Sequence, residues 1–409
     1  MHRVSGLGAN PLVASRPRLR SWCGGYGLLF IVTLEAVTMG SGRLLMIGPL
    51  SLKMWLYVAA MAYTSVRMVQ GFSFRTASIL LVFTQAVLLL GEIAEGLSQG
   101  GRIEAITEDV KPLIYFPMLL FFEAVVRDVR DVKLIRNIII IGGVLLSVIY
   151  MALLAAIASG LVSFDTFYKI VSANEEVGIV LRGNTGIFFY NGSLYICIAF
   201  IFLVCDNFRM ARVFIAITVI GAAASGTRGY ILALAIVALL YIALRPLSLK
   251  NKLLYFTIVT LMGVGLFFTV TATAGDKQSG DSLRLRTIRQ VLDRSDLVSL
   301  AVGHGFGKGV PERPVHMEMS YLEIFHKQGA IGLLWWTSLI LILVARYRRA
   351  MAVAPHQLVY PFLLSSVFVL VESFTNPFVN NPIGMSMLVM SLACLAALRT
   401  TTDWREPTH

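Results

Sequence analysis

The sequence predicts an all-α polytopic membrane protein of about twelve transmembrane helices, with one large outer loop between helices 9 and 10. Three observations predict it. Of 409 residues, 57% are hydrophobic and only 14% charged, where a soluble globular domain is nearer a quarter charged. Apolar runs of roughly 17–25 residues, each long enough to cross a bilayer, recur along nearly the whole chain. The basic residues fall in short clusters in alternate gaps between those runs, as cytoplasmic loops do.

Twelve spans fit, at about 22–40, 44–66, 75–96, 110–126, 134–160, 184–204, 212–225, 229–245, 252–273, 328–345, 356–375 and 382–399. With the N-terminus inside, every short inner loop is basic. The first three carry Arg67 and Arg75, then Arg127, Arg130, Lys133 and Arg136, then Arg209 and Arg212. Arg245, Lys250 and Lys252 follow, then Arg346, Arg348 and Arg349, with Arg399 and Arg405 at the C-terminus. Both termini are therefore expected in the cytoplasm, with Arg3, Arg16, Arg18 and Arg20 in an N-terminal cytoplasmic arm rather than a removed signal peptide. The chain reads as a single integral-membrane domain, 1–409.

The net charge of +12 is accounted for by these loops, and no RNA- or DNA-binding motif accompanies it, so nucleic acid is not an expected partner. Cys23, Cys197, Cys205 and Cys394 form neither a metal-ligand spacing nor a disulfide framework. No metal site and no cofactor are expected.

Two outer loops are long, about 161–186 and about 274–327, and the second is the only soluble-looking segment of any size. Long connections in compact proteins are usually functional or disordered. Within it SLRLRTIRQVLD (282–293) sets Leu283, Ile288, Val291 and Leu292 towards one helical side and Arg284, Arg286 and Arg289 towards another. This is a basic amphipathic helix, on the membrane surface or over a cavity; the pattern equally fits an ordinary solvated helix.

The chemistry should lie on this outer face. Arg228, in SGTRG (225–229), sits at the outer end of two spans, where the positive-inside rule does not put arginine. Arg182 also lies outside, before a span, and Arg284 and Arg286 are in the large loop. Gathered guanidiniums bind phosphate oxygens in bidentate fashion, whereas a single arginine more often anchors a helix end by snorkelling. The second constellation is GHGFGKGVPERPVHMEMSYLEIFHKQGAIGLLWW (303–336). Its glycines at 303, 305, 307 and 309 suggest a flexible loop, and no βαβ unit surrounds them to make a nucleotide site. His316 and Glu318 stand two residues apart at the mouth of the loop, and either can accept a proton from a hydroxyl nucleophile. Glu323 and His326 read as structural, and Asn376, Pro377, Asn380, Asn381 and Pro382 as a tight outer turn.

From Arg182 to about Trp336 the chain resembles the O-antigen polymerase and O-antigen ligase superfamily: SGTRG opening a span, an outer arginine before another, and a loop of the form R…GHGFG…H.E.SYLEIFHKQGAIGLL. Members are membrane glycosyltransferases of the periplasmic face of the bacterial inner membrane. Their donors are glycans linked through pyrophosphate to undecaprenol. The resemblance implies Arg182 and Arg228 as pyrophosphate ligands, Arg284 or Arg286 as a third, and a loop residue acting on the acceptor hydroxyl. Many ligases carry a His followed by Asn roughly eleven residues before the first glycine of a GxxG pair. Counting back from Gly329 lands on Glu318, as in polymerases with a glutamate there. Glu318 is the expected base or positioning group, with His316 beside it. The expected activity is metal-independent polymerisation of undecaprenyl-pyrophosphate-linked repeat units into O-antigen or exopolysaccharide. A chain-length regulator is a partner such a polymerase can take. The alternatives are a ligase moving the finished glycan to lipid A core or another acceptor, and a flippase or transporter for lipid-linked oligosaccharides. A transporter would concentrate ionisable residues along a mid-membrane path. Here the mid-span acids Glu35, Glu123 and Glu372 are scattered, Glu92 and Glu95 lie near an outer end, and no internal repeat is visible.

Overall fold

Backbone N–H and C=O groups in hydrocarbon have no water to bond, so apolar runs satisfy them internally as helices. In the computed structural model, which describes residues 22–40, 45–48, 50–172, 179–182, 187–206, 210–273 and 278–400, they do so almost throughout. The helices are α1 (Trp22–Thr38), α2 (Leu52–Val69), α3 (Thr76–Ser98), α4 (Ile103–Leu113), α5 (Met118–Val125), α6 (Val129–Ala158), α7 (Phe164–Ser172) and α8 (Leu194–Val204). They continue with α9 (Ala211–Ala224), α10 (Arg228–Leu244), α11 (Leu249–Thr273), α12 (Gln278–Arg294), α13 (Leu297–Val302), α14 (Ser320–Met351), α15 (His356–Glu372) and α16 (Pro382–Thr400). Sheet among the described residues is confined to two antiparallel hairpins, β1 (Met46–Ile47) with β2 (Leu50–Ser51) and β3 (Ile179–Arg182) with β4 (Ile187–Tyr190).

Among the described residues, five helices are long and apolar enough to cross a membrane: Thr76–Ser98, Val129–Ala158, Leu249–Thr269, Ser320–Met351 and Pro382–Arg399. Five shorter apolar helices accompany them: Gly25–Thr38, Asn191–Val204, Ala211–Ala224, Arg228–Leu244 and His356–Glu372. α16 is the central post, with Met385, Leu388, Leu392 and Leu395 wholly buried, and α5, α6, α14 and α15 pack around it. At the rim, α11 leans on α10 and leaves Leu253, Leu261, Met262 and Phe268 exposed, as α3 leaves Leu80, Phe83 and Leu90. Such contiguous apolar surface marks an interaction face, and on helices of this length a bilayer is the matching solvent.

Three expected spans take a different form. Segment 44–66 opens with the β1–β2 hairpin and is helical only from Leu52. Segment 110–126 is not one helix, because Pro112 and Pro117 interrupt it: α4 ends at Leu113 and the short α5 starts at Met118. Segment 184–204 begins as the strand β4 and becomes α-helical only at Leu194. The expected N-terminal arm lies outside the described residues.

Two of the polar sets among the described residues lie on α14 at different levels. One set joins Arg346 to Glu123 (2.7 Å), to Ser78 and to the carbonyl of Leu392, with Arg75 bonding the carbonyl of Ala396. The other surrounds Lys327, 19 residues earlier in the chain.

Candidate functional site

The site is assembled where α12, the loop 303–319 and the start of α14 meet α4 and the turn before α16. α12 covers the loop: its Val291 is fully buried with Val310 and Met317, backed by Leu322 and Phe325. Covering the loop is thus what its apolar side does, although Leu285 and Leu292 stay exposed.

The glycine-rich stretch is not a flexible loop. Gly303, Gly305 and Gly307 all have φ near +80°, a region that side-chain-bearing residues avoid. A Cβ on Gly303 would lie 2.2 Å from the Lys327 carbonyl oxygen. The tight fit answers a break in α14 at Gly329 (φ 59°, ψ −157°), which divides it into 320–328 and 330–351. The break frees carbonyls of the last turn before it. The N–H of His304 bonds the His326 carbonyl (2.9 Å) and that of Gly305 the Lys327 carbonyl (3.0 Å), while Phe306 N–H bonds Glu92 of α3 (3.1 Å). The loop repairs the broken helix, which fixes the residues that follow.

Arg228 is the first residue of α10, after a turn through Gly226 (φ 58°). A Cβ on Gly229 would lie 2.5 Å from Glu372 Oε1, so only glycine lets α10 start this close to α15. Arg228 and Arg284 converge on one carboxylate: Asp281 Oδ2 lies 3.4 Å from Arg228 and its Oδ1 3.3 Å from Arg284. Arg284 Nε also donates to Glu318 Oε2 (3.0 Å), and Arg313 pairs with Glu318 Oε1. Arg286 points elsewhere, to Glu312 (2.9 Å), so of the two expected third arginines it is Arg284 that joins Arg228. Arg182 ends β3, and its side chain lies outside the described residues. Arg313, three residues before His316 in the same loop, adds a guanidinium that the sequence pattern did not single out.

Glu318 and His316 differ in what they can do. Both Glu318 oxygens are held by guanidiniums. His316 turns Nδ1 to two carboxylates, Asp109 Oδ1 and Glu323 Oε1, each at 3.4 Å. Its side chain is half exposed, and Nε2 makes no hydrogen bond among the described residues. A carboxylate at Nδ1 with Nε2 open is the arrangement of an imidazole base. The hydrogen bond to Glu323 holds the His316 pKa above its ordinary 6.5, against the opposing effect of burial.

Beneath His316 lies a buried ionic set that sequence inspection missed. Lys327 Nζ donates to Asp109 Oδ1 (2.7 Å), Glu323 Oε1 (2.6 Å) and the Val315 carbonyl (2.7 Å). Glu323 Oε2 accepts from Asn380 (2.8 Å), whose Oδ1 accepts from Ser320 (2.8 Å), and Asp109 Oδ2 accepts from the Gly307 N–H (2.8 Å). Burial raises the Asp109 pKa and the Lys327 ammonium opposes it. Glu323 and Asn380, first read as structural and as part of a turn, belong to the site. Asp109, His316 and Glu323 have the mutual spacing of a metal-ligand set, but the Lys327 ammonium already sits between the two carboxylates. These residues line a small cavity of about 40 Å³ with Phe306, Ile324 and Gln328, enough for water or a single hydroxyl-sized group.

No protein-family model matches the chain, and no curated protein does either. The chemistry of the site rests on its geometry: guanidiniums converging on one anion-sized position, beside an imidazole with a carboxylate-backed Nδ1 and an open Nε2.

Proposed function

We propose that the protein is a polysaccharide polymerase of the bacterial inner membrane, joining undecaprenyl-pyrophosphate-linked repeat units at the periplasmic face. One observation carries the reading: Asp281 is gripped by Arg228 and Arg284 together, in a position that suits a phosphate oxygen, next to the His316–Glu318 loop. Twelve passes with both termini cytoplasmic are part of the proposal. In their support, Arg75 and Arg346, both expected inside, share one polar set through Glu123, while His316, expected outside, belongs to the other through Asp109 and Glu323.

In the proposed reaction an acceptor sugar hydroxyl attacks the donor's anomeric carbon and the bond to the pyrophosphate oxygen breaks. Arg228 and Arg284 offset the negative charge growing on the departing pyrophosphate, an electrostatic contribution of several kcal/mol in a preorganised site. His316 Nε2 takes the hydroxyl proton. Undecaprenyl pyrophosphate is a good leaving group, so the reading requires no metal and no cofactor. Asp281 leaves the arginines when the donor binds, and Glu318 keeps Arg284 and Arg313 aimed at it. A ligase is the second reading, and one observation favours it: the open base is His316, the residue type of the ligases, not Glu318.

The test is a strain lacking the gene, complemented with wild type, Arg228→Ala or His316→Ala. A polymerase predicts loss of long chains while single repeat units are still transferred or remain lipid-linked. Long chains accumulating on undecaprenyl pyrophosphate would make it a ligase. Unchanged glycans in the deletion strain would end both readings.

A further inference from the structure

We propose that Lys327 is a positioning residue: a buried ammonium that fixes Asp109 and Glu323 as a carboxylate cradle and pins the backbone beside His316, so that the imidazole presents Nε2 to the site. The proposal rests on the reading of His316 as base and adds to it the group that sets its orientation and basicity.

The geometry is specific. Lys327 is almost wholly buried and spends all three of its N–H donors, on Asp109 Oδ1, Glu323 Oε1 and the carbonyl of Val315, the residue before His316. The same two carboxylate oxygens face His316 Nδ1. Their companion oxygens are taken by the Gly307 N–H and by Asn380, so neither carboxylate can turn away. An ammonium in this place does what a metal ion would do with Asp, Glu and His at this spacing, but it is tethered to the chain. The charged groups facing His316 are Asp109 from α4, and Glu323 and Lys327 from α14. Two anions and one cation leave the cradle a net negative charge, which favours protonated His316 only moderately. Without Lys327 the cradle would be more negative and would hold His316 in the protonated form, unable to act as base at neutral pH. A lysine whose charge His316 does not feel would leave that midpoint unmoved when replaced.

The test reads His316 directly, in the full-length protein in lipid nanodiscs. Diethyl pyrocarbonate modifies neutral imidazole, and peptide mass spectrometry gives the rate at His316 against pH. Lys327→Met is expected to raise the midpoint by about one pH unit, so that modification at pH 6 slows about tenfold. Lys327→Arg, which keeps the charge, is expected to restore a midpoint near that of wild type. If Lys327→Met does not give monodisperse protein, Lys327→Gln, which keeps polar donors but not the charge, carries the test, with the midpoint again expected to rise. In turnover, Lys327→Met should lower kcat with KM for the lipid-linked donor little changed, and shift the pH profile to the alkaline side. A midpoint unmoved in the folded variants would overturn the proposal. Because the modification assay needs no substrate, a protein without transferase activity that still shows the shift would refute the function and leave the positioning role standing.

Discussion

Replacing Arg346 should be among the most destabilising single changes in the chain, although the sequence marks it only as one more basic residue of an inner loop. Its guanidinium is buried, 2.7 Å from Glu123 Oε1 and 2.8 Å from the Leu392 carbonyl, with a further donor to Ser78 at 2.5 Å. Glu123 is 1% exposed and also accepts from Ser78 (2.5 Å); the next cation, Arg75, is 3.8 Å away. Arg346→Met leaves that carboxylate with only Ser78 and the more distant, half-exposed Arg75, and breaking a buried pair from one side costs about 3–5 kcal/mol. Glu123→Met strands the guanidinium at similar cost. The double variant removes both charges and keeps apolar bulk, so it should be milder than either single, with a coupling of at least about 2 kcal/mol. The measurement is reversible unfolding by SDS in mixed micelles, followed by the fluorescence of Trp335 and Trp336, both buried in α14. Singles that each cost under about 1 kcal/mol, or costs that add in the double variant, would refute the reasoning.

Other outcomes follow from the site. Arg228→Ala or Arg284→Ala should reduce polymer formation roughly 10²–10³-fold, the effect of removing one preorganised charge-stabilising group. Arg286→Ala, whose partner is Glu312, should change it only a few-fold in a membrane assay of chain growth. The rate should rise with pH through a midpoint above 6.5, because the Glu323 contact keeps His316 protonated beyond its ordinary range and only the neutral ring accepts a proton. The stabilising part of that contact is present below about pH 6.5 and lost as pH rises through the raised value; a pH–rate profile of purified protein checks the midpoint. Gly329→Ala should cost about 2 kcal/mol or more, since a Cβ there sits 2.4 Å from the Ala301 carbonyl oxygen at φ 59°. SDS unfolding reads that loss.

Hydropathy made the helices legible, because a residue's preference for hydrocarbon is a property of its own side chain. What breaks or shortens a helix was written there too and overlooked. Pro112 and Pro117 announced the gap between α4 and α5, and IVLR-GNTG-IFFY has the apolar–turn–apolar form of the β3–β4 hairpin. The site was half legible. Arg228 and Arg284 stood out as arginines on an expected outer face, and His316 as a titratable residue in the long polar loop. Asp109 and Asn380 did not, because they reach the site from parts of the chain 218 and 57 residues away from their partners. Lys327 had a local signal: it lies four residues after Glu323 on a helix leading into an apolar run, a spacing that pairs charges. The choice between Glu318 and His316 could not be made from their positions, since it depends on which one the surrounding arginines occupy.

The most direct test of the account places purified protein in liposomes with an undecaprenyl-pyrophosphate-linked oligosaccharide and no other protein. The products are then separated by mass. The account predicts chains of two and more repeat units with release of undecaprenyl pyrophosphate, and both reduced roughly 10²–10³-fold with Arg228→Ala. Movement of the oligosaccharide across the bilayer with no new glycosidic bond would contradict it and make the protein a transporter.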